Sequence, residues 1–345
     1  MKAIEIEQVL GGLFGVCVGD ALGLPVQFAS RRERKIKPVA GMSGYGAFDE
    51  PPGTWSDDSS LTFCLAESLC RGYDLSDIAE RFVKWRFEGY WTPFGEAFDV
   101  GITTDSAVKR LRNGINPLRS GDTAEECNGN GSLMRILPVV YAVRNLGVRD
   151  RFRMVHEVSA ITHAHPRSLI ACGIYVQTAL YLLEGGTPAE AVEKMKDPVM
   201  RYYGVRPAMN PAECGPPHGS APGTDFRPEF PHFTRILESG VEDFSALPEG
   251  DIRSSGYVVH TLEAALWCLL NARSYMETVL KAVNLGGDTD TTAAVAGGLA
   301  GMYHGFTAIP KLWVEMIAKK SEIEDLARRL HRSLIETGSA ETGKA

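Results

Sequence analysis

The chain has 345 residues, enough for one large domain or two ordinary ones. Its formal net charge is -7, from 36 Lys and Arg against 43 Asp and Glu, so no general basic field exists to attract nucleic acid; a small anion can still bind where local groups and metal ions cradle it. The 7 cysteines include no C-x-x-C pair, which argues against a disulfide framework or zinc knuckle and for a reducing compartment. Neither a signal peptide nor an apolar stretch of about 18 residues is evident, so no membrane partner is expected and the cytoplasm is the default location.

The predicted elements are mostly helical. GVCVGDALGLPVQF (15–28) spaces Gly15, Gly19 and Gly23 by four ahead of Pro25, and Asp20 stands in its apolar run as a cap or brace. Residues 30–60 read as loop, a charged RRERKIK followed by glycine-rich sequence. Helices are expected over 61–72, where Leu61, Leu65 and Leu69 are four apart, and over 76–89, with Ser76 as cap and Ile78, Phe82 and Trp85 on one face. Others are expected over 151–163, 168–186 and 187–197; the last opens with TPAE, a strong start signal with Thr187 as cap. Residues 205–232 carry much proline and glycine and read as an insertion framing a substrate entrance, or as an ordered connector. Helices follow over 256–271 and 274–284, behind GGDTD, and in PKLWVEMIAKK and IEDLARRLHRSLIE, with the tail SAETGKA expected to fray. Alternating strands are scarce, so all-α is the economical fold class.

The chemistry concentrates in carboxylates. GGDTDTTAAVAGGLAG (286–301) places Asp288 and Asp290 two apart. Inside a helix they would point opposite ways, but at a helix start they can share a ligand. Asp290 is the expected N-cap, Gly286 and Gly287 permit a tight approach, and Ala293, Gly297 and Gly301 form a small-residue stripe for close packing. PPGTWSDDSSLTFCLAESL (51–69) repeats the pattern, with Asp57 and Asp58 ahead of a helix. Either pair alone is explained as a cap. Together they make a hard, oxygen-rich site suited to Mg²⁺, Mn²⁺ or Ca²⁺ rather than zinc, and their mutual repulsion favours two cations. CNGNGSLMRILPVVYAV (127–143) offers backbone N–H groups from Asn128 to Ser132 ahead of a helix, an anion cradle or an ordinary turn. His163 and His165 in ITHAHPRSL suit a strand or loop, so ligand contact or a satisfied loop histidine is expected before zinc ligation.

In this order GDALGLPVQF, WSDDSSL, FDVGITT, NGNGSLMRILPV, THAHP and GGDTDTTAAVAGGLAG closely resemble the ADP-ribosylglycohydrolase family, over most of the chain. WSDD with GGDTDT is the specific pair. The resemblance implies one domain over 1–340, a compact orthogonal helical bundle with a central cleft holding two Mg²⁺ or Mn²⁺ ions. By motif, the metal ligands would be Ser56, Asp57, Asp58, Asp288, Asp290 and Thr291, with serine at 56 where threonine is usual. Asn128, Gly129, Asn130, Gly131 and Ser132 would hold the phosphates, His163 would contact the ligand, and Asp99 resembles an acid near the scissile ribose.

The implied activity is metal-dependent removal of ADP-ribose from a modified protein side chain or a small ADP-ribosyl substrate. Cleavage at the ribose anomeric carbon builds oxocarbenium character; metals would orient the sugar and activate water, and a carboxylate among Asp57, Asp58 and Asp99 would shuttle the proton. One position departs from the pattern. Gln27 stands where the family commonly has glutamate, and an amide can orient a water but cannot carry the proton. That favours arginine-linked over serine-linked substrates, and leaves a non-catalytic or weakly active ADP-ribose binder as the alternative. An isoprenoid-type Mg²⁺-diphosphate enzyme would want D-D-x-x-D, but Leu61 occupies the last acidic position.

Overall fold

Helix α1 (Ile6–Gly23) is the axis of the fold, apolar on nearly every side because it is buried on nearly every side. The computed structural model describes residues 4–206 and 225–342. In chain order the further helices are α2 Arg31–Ile36, α3 Asp57–Leu69, α4 Leu75–Glu88, α5 Ile102–Arg112, α6 Val139–Val143, α7 Val148–Ala160, α8 Pro166–Leu183 and α9 Pro188–Tyr202. They continue with α10 Thr234–Leu237, α11 Val241–Ser245, α12 Val258–Leu270, α13 Tyr275–Asn284, α14 Thr289–His304, α15 Lys311–Met316 and α16 Lys320–Thr342. Among the described residues there is no strand, only isolated bridges such as Gly129 with Tyr257, and the fold is all-α.

The two small-residue stripes face each other. A methyl group added at Gly15 would stand 2.3 Å from the Gly297 carbonyl oxygen, and one at Gly19 would stand 2.1 Å from that of Ala293. One at Gly23 would stand 2.3 Å from the Asp290 amide nitrogen. Glycine lowers helix propensity, and here the close backbone approach of α1 to α14 offsets that loss through dispersion contacts along the whole face. The consequence is positional: the first turn of α14, with its aspartates, is pinned beside the end of α1 that carries Asp20.

The apolarity of α1 overturns one expectation. Residues Ile6–Val26 are long and apolar enough to cross a membrane by length and composition, with mean hydropathy 1.8, while 89% of the 18-residue window that meets this criterion is buried within the fold. A core helix packed on all sides carries the same composition as a membrane span. Glu7 and Asp20 interrupt the run in sequence and disguise it.

Several local expectations are corrected. RRERKIK is not loop: Ser30 and Glu33 form a capping box that starts α2. α3 begins at Asp57, four residues ahead of the expected start, with Ser56 at the N-cap. Asp74 rather than Ser76 caps α4, accepting from the amides of Ser76 and Asp77. Asp288 rather than Asp290 holds the N-cap position of α14, and Asp290 lies in the first turn. Helix α16 continues through Thr342, into the tail expected to fray. The expected insertion at 205–232 falls largely outside the described residues; its described end, Arg227–Phe233, is a 3₁₀ helix.

Candidate active site

Three helix ends converge on one polar cluster. Asp20 on α1 accepts from the Ser56 amide with both oxygens, at 3.0 Å each, and from the Ser59 amide at 3.1 Å and hydroxyl at 2.6 Å. Ser59 is the third residue of α3, whose N–H the local cap normally satisfies. Because Asp20 does that work from another helix, the Ser56 hydroxyl is released. It reaches the Asp58 amide only at 3.4 Å and donates to Asp58 Oδ2 at 3.2 Å.

The α14 side is set by a tight turn. Gly287 has φ +73°, and a Cβ there would stand 2.3 Å from the Ser254 carbonyl oxygen. Its N–H donates to Ala29 O at 2.8 Å while its carbonyl accepts the Phe28 N–H at 2.7 Å, clipping the 27–29 segment to the aspartate turn. Asp288 Oδ2 accepts from Asn130 Nδ2 at 2.6 Å, and Thr291 Oγ1 donates to Asp58 Oδ2 at 3.2 Å. Thus Ser56, Asp57, Asp58, Asp288, Asp290 and Thr291 form one cluster, all of them buried.

Burial is the main cause that pushes the carboxyls of Asp57, Asp58 and Asp290 well above the ordinary range, and their mutual repulsion adds to it. Neither oxygen of Asp290, nor Oδ1 of Asp58, receives a hydrogen bond from the protein. Buried carboxylate oxygens without donors are costly, and a bound cation answers both the missing partners and the repulsion. No three of the His, Cys, Asp and Glu side chains among the described residues close into a ready-made ligand group, so hydroxyls and water or substrate oxygens would have to complete the shell. Mg²⁺ and Mn²⁺ commonly keep such ligands, so the donor set fits them.

Asp57, Asp288 and Thr291 open onto a cleft of about 290 Å³. Gln27, Phe28 and Asp99 form one side, and the start of α5, Gly101 to Thr104, forms another. Gln27 Nε2 donates to Asp99 Oδ2 at 2.9 Å. Burial lifts the Asp99 carboxyl to about 6. Gly129, Asn130, Gly131, Met134, His163 and Gly256 complete the lining. No Lys or Arg lines the cleft among the described residues.

Not every expected binding residue faces the cleft. Asn128 is locked by donating to Glu125 O and accepting from Ser168 Oγ, and Ser132 bonds the Ser159 hydroxyl in the core. The Asn130 N–H is taken by Gly256 O, and the regular helix behind this segment, α6, starts only at Val139. His165 caps α8 by accepting from the Arg167 amide. His163 does face the cleft, and burial pushes its imidazole down to about 3, so it is neutral.

The profile of the ADP-ribosylglycohydrolase family matches residues 1–340. The chain belongs to this family. It is 30% identical to the ADP-ribosylarginine hydrolase Tri1 of Serratia proteamaculans, over 94% of this chain and 79% of that one. It is 29% identical to the ADP-ribosyl-[dinitrogen reductase] glycohydrolase of Rhodospirillum rubrum, over 92% of each. A solved structure titled ADP-ribosylglycohydrolase-related protein complex superposes with a TM-score of 0.73 at 32% identity, covering 95% of this chain and 98% of that one. The family marks the chain as an enzyme.

Two contributors escaped the sequence reading. Arg135, fully buried, donates through Nη1 to Gly131 O and through Nη2 to Thr162 Oγ1 at 2.7 Å. The Thr162 hydroxyl is therefore free to donate to His163 Nδ1, 2.8 Å away, which leaves the ring proton on Nε2. The second is the start of α5, where Gly101 is an N-cap without a side-chain cap bond and its N–H reaches Asp57. FDVGITT carries that signal, a glycine directly ahead of a helix.

Proposed function

We propose that this enzyme is a metal-dependent hydrolase that removes ADP-ribose from arginine-linked substrates by cleaving the glycosidic bond at the ribose anomeric carbon. One observation carries the reading. Behind the cleft lie buried carboxylate oxygens of Asp58 and Asp290 that lack donors, and its wall holds Asp57, Asp99 and Asp288 but, among the described residues, no Lys or Arg. A diphosphate ligand would be repelled there unless cations stood between it and the aspartates. The arginine linkage rests on similarity to the hydrolase named for ADP-ribosylarginine and on Gln27, whose amide removes the carboxylate usual at that position.

Ser56, Asp57, Asp58, Asp288, Asp290 and Thr291 would hold two Mg²⁺ or Mn²⁺ ions. Bound there, the cations would neutralise the carboxylates and polarise the ribose hydroxyls. The chain's own groups do the rest. His163 presents a neutral Nε2–H donor, and the uncapped first turn of α5 presents backbone N–H groups with a favourable dipole for phosphate oxygens. Asp99, on the cleft wall beside Gln27, would move the proton as the guanidinium leaves. Gln27 holds one Asp99 oxygen and fixes the carboxyl orientation.

Calorimetric titration of ADP-ribose tests the cation argument. Binding is expected with Mg²⁺ or Mn²⁺ and lost in EDTA. Equal affinity in both conditions would overturn the metal assignment.

A further inference from the structure

Two features of the cleft wall, the Phe28 ring and Gln27 Oε1, serve neither the carboxylate cluster nor the orientation of Asp99. The first is Phe28. It is 73% exposed, yet its backbone sits at φ +64°. A bulky side chain in the left-handed region is strained, and an exposed ring contributes little to the core in return. The strain is held by the Phe28 N–H donating to Gly287 O at 2.7 Å, which places the ring at the cleft wall. The second feature is Gln27. Only its amide nitrogen can donate to Asp99, so the Asp99 contact at 2.9 Å fixes the amide orientation. Its Oε1 is then left buried without a donor. Asp99 is also in the left-handed region, at φ +54°.

We infer that Phe28, Gln27 and Asp99 form a recognition site for the guanidinium group of the substrate's arginine, which rests on the arginine-linked reading above. A guanidinium is planar, cationic and donor-only. It stacks on aromatic faces and pairs with carboxylates, and a lysine ammonium does neither as well. Phe28 supplies the face, Asp99 the carboxylate, and Gln27 Oε1 the acceptor that lacks a donor. Among the described residues no Lys or Arg side chain of the lining competes for Asp99. Phe28 and Gln27 therefore set which modified side chain is accepted, and ADP-ribose itself is held elsewhere in the cleft.

The test uses the full chain with Mg²⁺ and two readouts. The first is release of ADP-ribose from an arginine-ADP-ribosylated protein by wild type, Phe28→Ala and Gln27→Leu. Both variants are expected to raise KM by about tenfold while their affinity for free ADP-ribose stays within about twofold of wild type. Phe28→Gly relieves the positive φ and serves as a folded control that lacks the ring. The second is an NMR titration of methylguanidine, with methylammonium as comparison, into the ADP-ribose-saturated protein. Methylguanidine is expected to bind wild type and not Phe28→Ala.

An unchanged KM in both variants, or an equal loss of ADP-ribose affinity, would overturn the inference. So would a wild-type protein that ignores methylguanidine, whatever its kinetics. If wild type releases nothing from arginine yet binds methylguanidine through Phe28, the hydrolase reading falls and the recognition site stands.

Discussion

Asp20 and Ser59 hold α1 to α3 at one point, the carboxylate accepting both the Ser59 hydroxyl at 2.6 Å and its backbone N–H at 3.1 Å. This contact caps α3 from a neighbouring helix and frees Ser56 for the cluster. Asp20→Ala strands two buried amides and a hydroxyl. The expected cost is about 2–4 kcal/mol in denaturant unfolding. Divalent-cation affinity, measured by calorimetry, is expected to fall as well, because the α3 start loses its anchor. Full cation affinity in a folded Asp20→Ala protein would show that the anchor does not position the cluster.

The Ser56 hydroxyl offers a finer probe. Ser56→Thr keeps the oxygen and is expected to retain metal affinity within about threefold, whereas Ser56→Ala removes a ligand and lowers affinity by about 10- to 100-fold. Mn²⁺ binding followed by electron paramagnetic resonance checks both. Equal binding by Ser56→Ala and wild type would remove Ser56 from the ligand set.

Asp290 has no donor for either oxygen and sits among like charges. Asp290→Asn is expected to raise the Tm of the metal-free protein and to abolish the rise in Tm on adding Mg²⁺. The sign follows from the raised carboxyls. An acid whose folded pKa lies above its unfolded value stabilises most at low pH and loses that contribution as pH rises through the folded value. For Asp99 that loss falls between the ordinary 3.8 and about 6. Because the Asp57, Asp58 and Asp290 carboxyls are also raised, Mg²⁺-dependent stabilisation is expected to grow as pH rises above the ordinary carboxyl range, with proton release on binding. A pH-independent Tm rise would contradict this.

His156 gives the opposite slope away from the site. Its Nε2 lies 2.8 Å from the Tyr203 hydroxyl, its ring stacks on Phe226, and burial pushes it down to about 3 from 6.5. The unfolded chain takes the proton first. The stability is therefore whole above about 6.5 and drains as pH falls toward 3. His156→Phe is expected to flatten that acid limb when denaturant midpoints are measured from pH 4 to 8. A limb of unchanged slope would show that His156 does not contribute to it.

Much of the architecture was legible because its signals are local. Leu61, Leu65 and Leu69 share a helix face at spacing four, and Thr187 with Glu190 starts α9 as the capping box foretold. The clustering of the WSDD and GGDTD acids also showed, since both sit at helix starts that deliver side chains outward. What remained hidden depends on distant partners. Asp20 could be read only as a brace, because the helix it caps lies 36 residues away. Asn128 and Ser132 match the motif but turn inward, and only Ser168 and Ser159, from other helices, explain why. Asp74 and Ser76 are both good caps two residues apart, and sequence does not rank them.

The most direct test of the account is release of free ADP-ribose from an arginine-ADP-ribosylated protein, with Mg²⁺ or Mn²⁺ and with EDTA. Release is expected to disappear in EDTA and to return when metal is restored. Release that persists in EDTA, or none with metal present, would contradict it.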